Sequence, residues 1–108
     1  MSDRPMGDQS GADAHAFLAD LEAILDQRLR ERPEGSYVSR LTARGPRRVA
    51  QKVGEEGLET ALAIAAGDRD EALDEAADLL FHLMLALRAV DLRLADVVAL
   101  LARRHEAR

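Results

Sequence analysis

The apolar positions of this chain recur at helical spacing almost from end to end. Phe17, Leu21, Ile24, Leu25 and Leu29 fall three or four residues apart and predict a helix over 12–32. Pro33, Glu34 and Gly35 end it. The stretch 36–43 reads as a short helix or an ordered loop. Gly45 and Pro46 stop and restart the chain, with Pro46 in the first turn of a helix predicted over 46–66. Gly67 and Asp68 close that helix, and another follows over 70–90. After a break at 91–93, Leu94, Val97, Val98 and Leu101 mark the inward face of a last helix over 94–104. No stretch alternates with the period of a strand. The pattern predicts an all-α domain over 12–108, a bundle-like arrangement of four or five helices. Ahead of it, the Ser, Asp, Pro and Gly of 1–11 predict a flexible tail.

Two of these helices divide sharply between faces. On the helix over 46–66, Arg48, Lys52, Glu55, Glu56 and Glu59 fall within a sector of roughly 100°. The opposite side carries Ala50, Val53, Gly54, Gly57, Leu58, Ala61, Ile64 and Ala65. Two interior glycines cost roughly 1 kcal/mol each relative to alanine. Close approach of another helix to this small-residue face is the expected compensation. On the next helix, Glu71, Glu75, Asp78 and His82 form one stripe. Leu73, Ala76, Ala77, Leu80, Leu83, Met84 and Leu87 cover the other side. These apolar faces exceed what one thin layer of helices can cover, so a homodimer is predicted.

Composition narrows the function classes. Hydrophobic residues make up 47% of the 108 but aromatics only 3%, so the apolar content is mostly aliphatic and favours helix. Fifteen basic against 20 acidic side chains leave a net charge of −5, which suits no general nucleic-acid binder. The absence of cysteine rules out disulfides and Cys-held zinc and fits a cytoplasmic location. No apolar run approaches the roughly 20 residues that span a bilayer. The N-terminus lacks the apolar core of a secretory signal.

The acids carry the chemistry. Glu56 with Glu59, and Glu75 with Asp78, are spaced i, i+3, so each pair shares a helix face. Exposed acids usually alternate with Lys or Arg at i+4, but Glu55, Glu56 and Glu59 have no such support. If the two helices are neighbours, four carboxylates converge and call for a hard divalent cation such as Mg²⁺. Lys52 and Arg48 lie one and two turns towards the helix start, where a phosphate on that cation would reach them. A simple Lys52–Glu56 ion pair accounts for Lys52 equally well. His82 ligates the metal, although Mg²⁺ prefers oxygen, or backs a metal-bound carboxylate through a hydrogen bond, or is an ordinary half-buried histidine. Tyr37 either stacks on a base or packs in the core. Arg40, Arg44 and Arg47 either hold phosphate or are solvated.

The run 52–59 (Lys-Val-Gly-Glu-Glu-Gly-Leu-Glu) followed by 75–82 (Glu-Ala-Ala-Asp-Leu-Leu-Phe-His) resembles the signature of the all-α, MazG-like nucleoside triphosphate pyrophosphohydrolases. More narrowly, it is similar to the phosphoribosyl-ATP pyrophosphatase family of histidine biosynthesis. Ser36-Tyr37 with Leu41, the Gln51–Glu56 core and the 92–97 segment carry that narrower likeness, which covers about 18–104. Gly57 stands where the family more often has alanine, and Arg93 where a Ser-type cap is common. The family's cyclohydrolase domain is not in the sequence, so a free-standing form is expected.

The resemblance implies Mg²⁺-dependent hydrolysis of phosphoribosyl-ATP to phosphoribosyl-AMP and pyrophosphate. It implies Glu56, Glu59, Glu75 and Asp78 as metal ligands, Glu55 as the extra acid beside them and Lys52 on phosphate; with the reading of the residues above, Glu55 and Glu56 are the expected catalytic acids, and Arg48 and Tyr37 the further substrate contacts. It further implies association with the pathway's next enzyme. Three other readings remain: house-cleaning of a different nucleotide, a carboxylate-bridged iron protein, and a non-enzymatic helical module. The iron reading is disfavoured by a single histidine placed four residues after Asp78 rather than in a Glu-x-x-His pair.

Overall fold

A computed structural model describes residues 7–107, and among them there is no strand. Five helices follow one another: α1 (Gly7–Glu31), α2 (Tyr37–Thr42), α3 (Pro46–Ala65), α4 (Arg69–Leu87) and α5 (Leu94–Ala107). A 3₁₀ turn, Arg88–Val90, extends α4. The predicted all-α class and its helix count agree with this. Helix α1 reaches back to Gly7 rather than starting at residue 12, since the acidic and small residues ahead of Ala12 are tolerated in a first turn. The predicted loose tail therefore lies outside the described residues over 1–6. The ambiguous stretch at 36–43 is a helix, because Ser36 caps it, its hydroxyl accepting from the Ser39 N–H.

Each boundary has a local cause. Gly45, at φ 96°, turns the chain into α3, and Pro46 takes the position where a missing N–H costs nothing. Gly67, at φ 72°, closes α3 in the left-handed conformation, while the Asp68 N–H reaches back to the Ala63 carbonyl. Asp68 then caps α4, its carboxylate accepting from the Glu71 N–H at 3.1 Å. The chain so doubles back at once, and α3 and α4 form a long helical hairpin.

The core lies at one end of that hairpin. Leu25 of α1, Val38 and Leu41 of α2, Val49 of α3, and Met84 and Leu85 of α4 bury one another there. Burying a leucine or methionine fully is worth about 1.5–3 kcal/mol, and Leu25 and Met84 leave almost nothing exposed. Helix α5 is tied in by charge. Asp26 accepts from Arg88 at 3.0 Å and pairs with Arg93, and Glu22 accepts the Leu94 N–H at the start of α5. Burial pulls the Asp26 carboxyl upward, but the hydrogen bonds from Arg93 and Arg88 outweigh it and hold it below the usual value.

The close approach expected on the small-residue face of α3 is not made within the chain. The inward residues of this helix are Val49, Glu56, Thr60 and Ala63, whereas Ala50, Gly54, Leu58, Ala61 and Ile64 are exposed. That side also leaves Leu58, Leu62 and Ile64 60–64% exposed, so its apolar area is not covered within the chain. Val49, on the other side, packs with Met84 and Leu85 of α4 in the core. The glycines accordingly meet no close neighbour within the chain. A Cβ at Gly54 would touch nothing within 4 Å, and one at Gly57 only Leu79 Cδ1 at 3.9 Å. Helix α4 follows suit in its first half, where Leu73, Ala76 and Ala77 are exposed. The radius of gyration, 15.9 Å, exceeds the roughly 13 Å of a compact chain this long.

Candidate functional site

Turning the charged stripe of α3 inward brings the acids together. Glu56 of α3 and Glu75 and Asp78 of α4 each offer a carboxylate oxygen, and the three oxygens lie within 4.8 Å of one another. Glu56 is buried, Glu75 half-buried and Asp78 exposed, so the group opens from the interior to the surface. Glu75 bears the consequence. Desolvation, then the charge and hydrogen bonding of Glu59, the hydrogen bond with Glu71 and the charge of Glu56 push its carboxyl up to about 7. A proton at Glu75 is thus shared among neighbouring acids, and a hard cation would do the same work with more charge. An all-oxygen donor set fits Mg²⁺ rather than a softer metal.

Glu59 stands outside the three converging oxygens but beside Glu75. Glu55 faces a different set of neighbours. The Gln51 amide donates to it at 3.0 Å, and Arg48 and Lys52 each lie 3.7 Å away. The Lys52 ammonium is also 3.7 Å from Glu56, so the simple ion-pair reading of Lys52 is realised in this arrangement. Lys52 therefore joins the acid cluster to whatever lies on its other side.

What lies there is a basic cleft of about 380 Å³ lined by Tyr37, Arg40, Leu41, Arg44, Arg48 and Lys52. Arg40 is fixed in its wall by a 2.8 Å hydrogen bond to the Gly35 carbonyl and by its position over the Tyr37 ring at 5.9 Å. Arg47, grouped with these arginines by sequence, does not line the cleft. The Arg48 Nε is buried without a partner, although buried donors are nearly always satisfied.

His82 pins the cleft to the acidic helix. Its ring is buried, with Nδ1 2.7 Å from the main-chain carbonyl oxygen of Asp78. A carbonyl only accepts, so Nδ1 carries the proton. Nε2 lies 2.7 Å from the Tyr37 hydroxyl and shares a hydrogen bond with it. Both nitrogens are occupied, and the bond runs to the carbonyl of Asp78 rather than to its carboxylate as the sequence suggested. Spacing explains this: at i, i+4 on a helix, a histidine ring reaches the carbonyl one turn back. Tyr37 packs against Phe81 at 6.2 Å between ring centroids as well as bonding His82, so it is part core and part cleft wall.

Sequence reading assigned no part in the site to Glu71, now beside Glu75, and did not set Arg40 and Arg44 in one cleft with Lys52. The signals were present as spacings. Glu71 lies one turn before Glu75, and positions 40, 44, 48 and 52 recur at intervals of four across the Gly45 break.

The matches to known proteins fall on the same residues. The family model for phosphoribosyl-ATP pyrophosphohydrolase matches residues 18–105. The chain is 55% identical over 89 residues to the phosphoribosyl-ATP pyrophosphatase of Novosphingobium aromaticivorans, covering 82% of this chain and 83% of that one. It is 56% identical over 90 residues to the histidine biosynthesis bifunctional protein HisIE of Xanthomonas axonopodis pv. citri, covering 83% of this chain but 44% of that one. For the HisIE of Vibrio cholerae the figures are 44% over 100 residues, with 93% and 48% covered. The chain thus spans less than half the length of these bifunctional relatives. Since the matched stretch runs from the middle of α1 to the end of α5 and contains every acid of the cluster, the chain belongs to the phosphoribosyl-ATP pyrophosphohydrolase family.

Proposed function

We propose that this chain hydrolyses phosphoribosyl-ATP to phosphoribosyl-AMP and pyrophosphate, with Mg²⁺, in histidine biosynthesis. The observation that carries the reading is the convergence of Glu56, Glu75 and Asp78 beside a cleft walled with cations. In this proposal Glu56, Glu59, Glu75 and Asp78 hold Mg²⁺. A metal held there would supply charge neutralisation for the departing pyrophosphate and a template for the polyphosphate. Lys52 gives up its contacts with Glu55 and Glu56 to meet phosphate oxygens, and Arg48 supports it from one turn earlier. Glu55, released from Lys52, orients a water on the α–β phosphoanhydride and takes its proton, a role worth about 10²–10⁴-fold. Tyr37 shapes the cleft wall, and His82 holds it in register with Asp78.

The reading extends to assembly. The exposed Leu58, Leu62, Ile64 and Leu73 support a homodimer in which a second copy covers the open end of the hairpin. Relatives named as bifunctional support association with another enzyme of the same pathway. Among the described residues no helix is long and apolar enough to cross a membrane, which agrees with a cytoplasmic setting.

Turnover of phosphoribosyl-ATP against ATP and other nucleoside triphosphates, with wild type and Glu56→Gln, tests the proposal. Preference for phosphoribosyl-ATP, lost with Glu56→Gln, is the expected result. Equal turnover of all triphosphates would assign the chain a different substrate, and an unaffected Glu56→Gln would remove the acid cluster from the chemistry.

A further inference from the structure

The acid cluster and the cleft divide the positive charge in a way that one triphosphate does not explain. Lys52 is the cation in contact with the cluster, at 3.7 Å from Glu56. Arg40 and Arg44 stand on α2 and just after it, on the far wall of the cleft, and neither forms an ion pair with an acid among the described residues. No carboxylate lines the cleft. A cleft of about 380 Å³ lined by four cationic side chains, of which Arg48 and Lys52 are paired with acids while Arg40 and Arg44, among the described residues, are not, is an anion site. Its cations differ in kind as well as place: three are guanidinium groups, whose planar fork suits a terminal phosphate with several free oxygens.

We propose that Arg40 and Arg44 form a second phosphate subsite, which takes a phosphate monoester attached to the substrate apart from its triphosphate. This inference rests on the reading above: a phosphoribosyl group carries such a monoester, and a plain nucleoside triphosphate does not. The cleft then selects the substrate by its extra phosphate, while the acid cluster handles the bond that breaks. Tyr37 and His82 set the distance between the two subsites. The Tyr37 hydroxyl and the Asp78 carbonyl are held by opposite nitrogens of one imidazole, so the arginine-bearing segment cannot slide along α4 without breaking a 2.7 Å contact. Arg40 is already anchored to Gly35 and the Tyr37 ring, which lowers the ordering cost of binding. The Arg48 Nε, buried without a partner, gains one when a phosphate enters.

The test compares kcat and KM of the full chain on phosphoribosyl-ATP and on ATP for wild type, Arg44→Gln and Arg40→Gln. Loss of a charge-assisted contact to phosphate raises KM for phosphoribosyl-ATP by about 10- to 100-fold. The expected result is that rise, with kcat within about twofold and the selectivity ratio over ATP falling with it. Equal losses on both substrates would place these arginines on the shared triphosphate and overturn the proposal, as would no loss on either. Ribose 5-phosphate is the second probe. It should inhibit wild type competitively and inhibit Arg44→Gln at least 10-fold more weakly; equal inhibition of both overturns the subsite. If wild type itself shows no preference for phosphoribosyl-ATP, the proposed function fails first, and the ribose 5-phosphate comparison still reports on the subsite.

Discussion

The two ends of the α3–α4 hairpin are built from the same pair of helices and have opposite characters. At the end near the Gly45 turn, Val49, Met84 and Leu85 are buried among side chains from α1 and α2. At the end near Gly67, Leu58, Leu62, Ile64 and Leu73 are 60–73% exposed. The carboxylates sit between the two, in the middle of the hairpin, where packing gives way to open surface. A group of acids there gains low dielectric from the packed side and access for a ligand from the open side. The difference teaches that this chain has enough apolar surface for a larger core than it builds alone. The acid cluster has the opposite deficit, too much like charge for the cations it owns.

The largest expected effect falls on the middle of the hairpin. Glu75→Gln should lower Mg²⁺-dependent turnover by about 10²–10⁴-fold, the range for losing a positioned acid and its metal; activity within threefold of wild type would take Glu75 out of the site. Next comes the packed end. Met84→Ala should cost about 2–5 kcal/mol in urea unfolding, at every protein concentration. The open end should answer differently. Leu62→Lys should weaken self-association by about 10- to 100-fold in analytical ultracentrifugation, the loss of one buried leucine. A chain that sediments as a single copy before and after the change would leave the open end unexplained by pairing.

Gly54→Ala sharpens the comparison further. The space beside Gly54 is free within the chain, so alanine should add about 1 kcal/mol of helix stability under dilute conditions. Where copies pair, the added methyl should meet the second helix and weaken the complex. A uniform gain at all concentrations would mean that nothing packs there. The smallest effect is electrostatic. The Glu75 carboxyl is held at about 7 against an ordinary 4.5, so the folded state binds the extra proton between those values. Metal-free stability should therefore fall as pH rises from 4.5 to 7. Glu75→Gln should flatten that slope in urea midpoints measured with EDTA. Asp26 works in the other direction. Its carboxyl sits low, so its contribution is present above the ordinary carboxylate range and is lost on acidification.

Much of this molecule was legible along the chain. The period of Phe17 to Leu29, the Gly45-Pro46 restart, the Gly67-Asp68 turn and the Leu94 to Leu101 spacing after the break at 91–93 determined four of the five helices and their order, because helix period and turn chemistry are local properties. The i, i+3 spacing of Glu56 with Glu59 and of Glu75 with Asp78 put each pair on one face for the same reason. Only the tertiary structure decided which face of α3 turned inward. That choice depends on what α4 and α2 present to it, and the small-residue face that looked ready for packing was left open. Nor could spacing pair the Tyr37 hydroxyl with His82, 45 residues away, and the recurrence of 40, 44, 48 and 52 at intervals of four did not by itself show that they line one cleft. A local pattern records which side chains share a surface. Where two surfaces meet is set by the balance of buried area and desolvated charge over the whole chain.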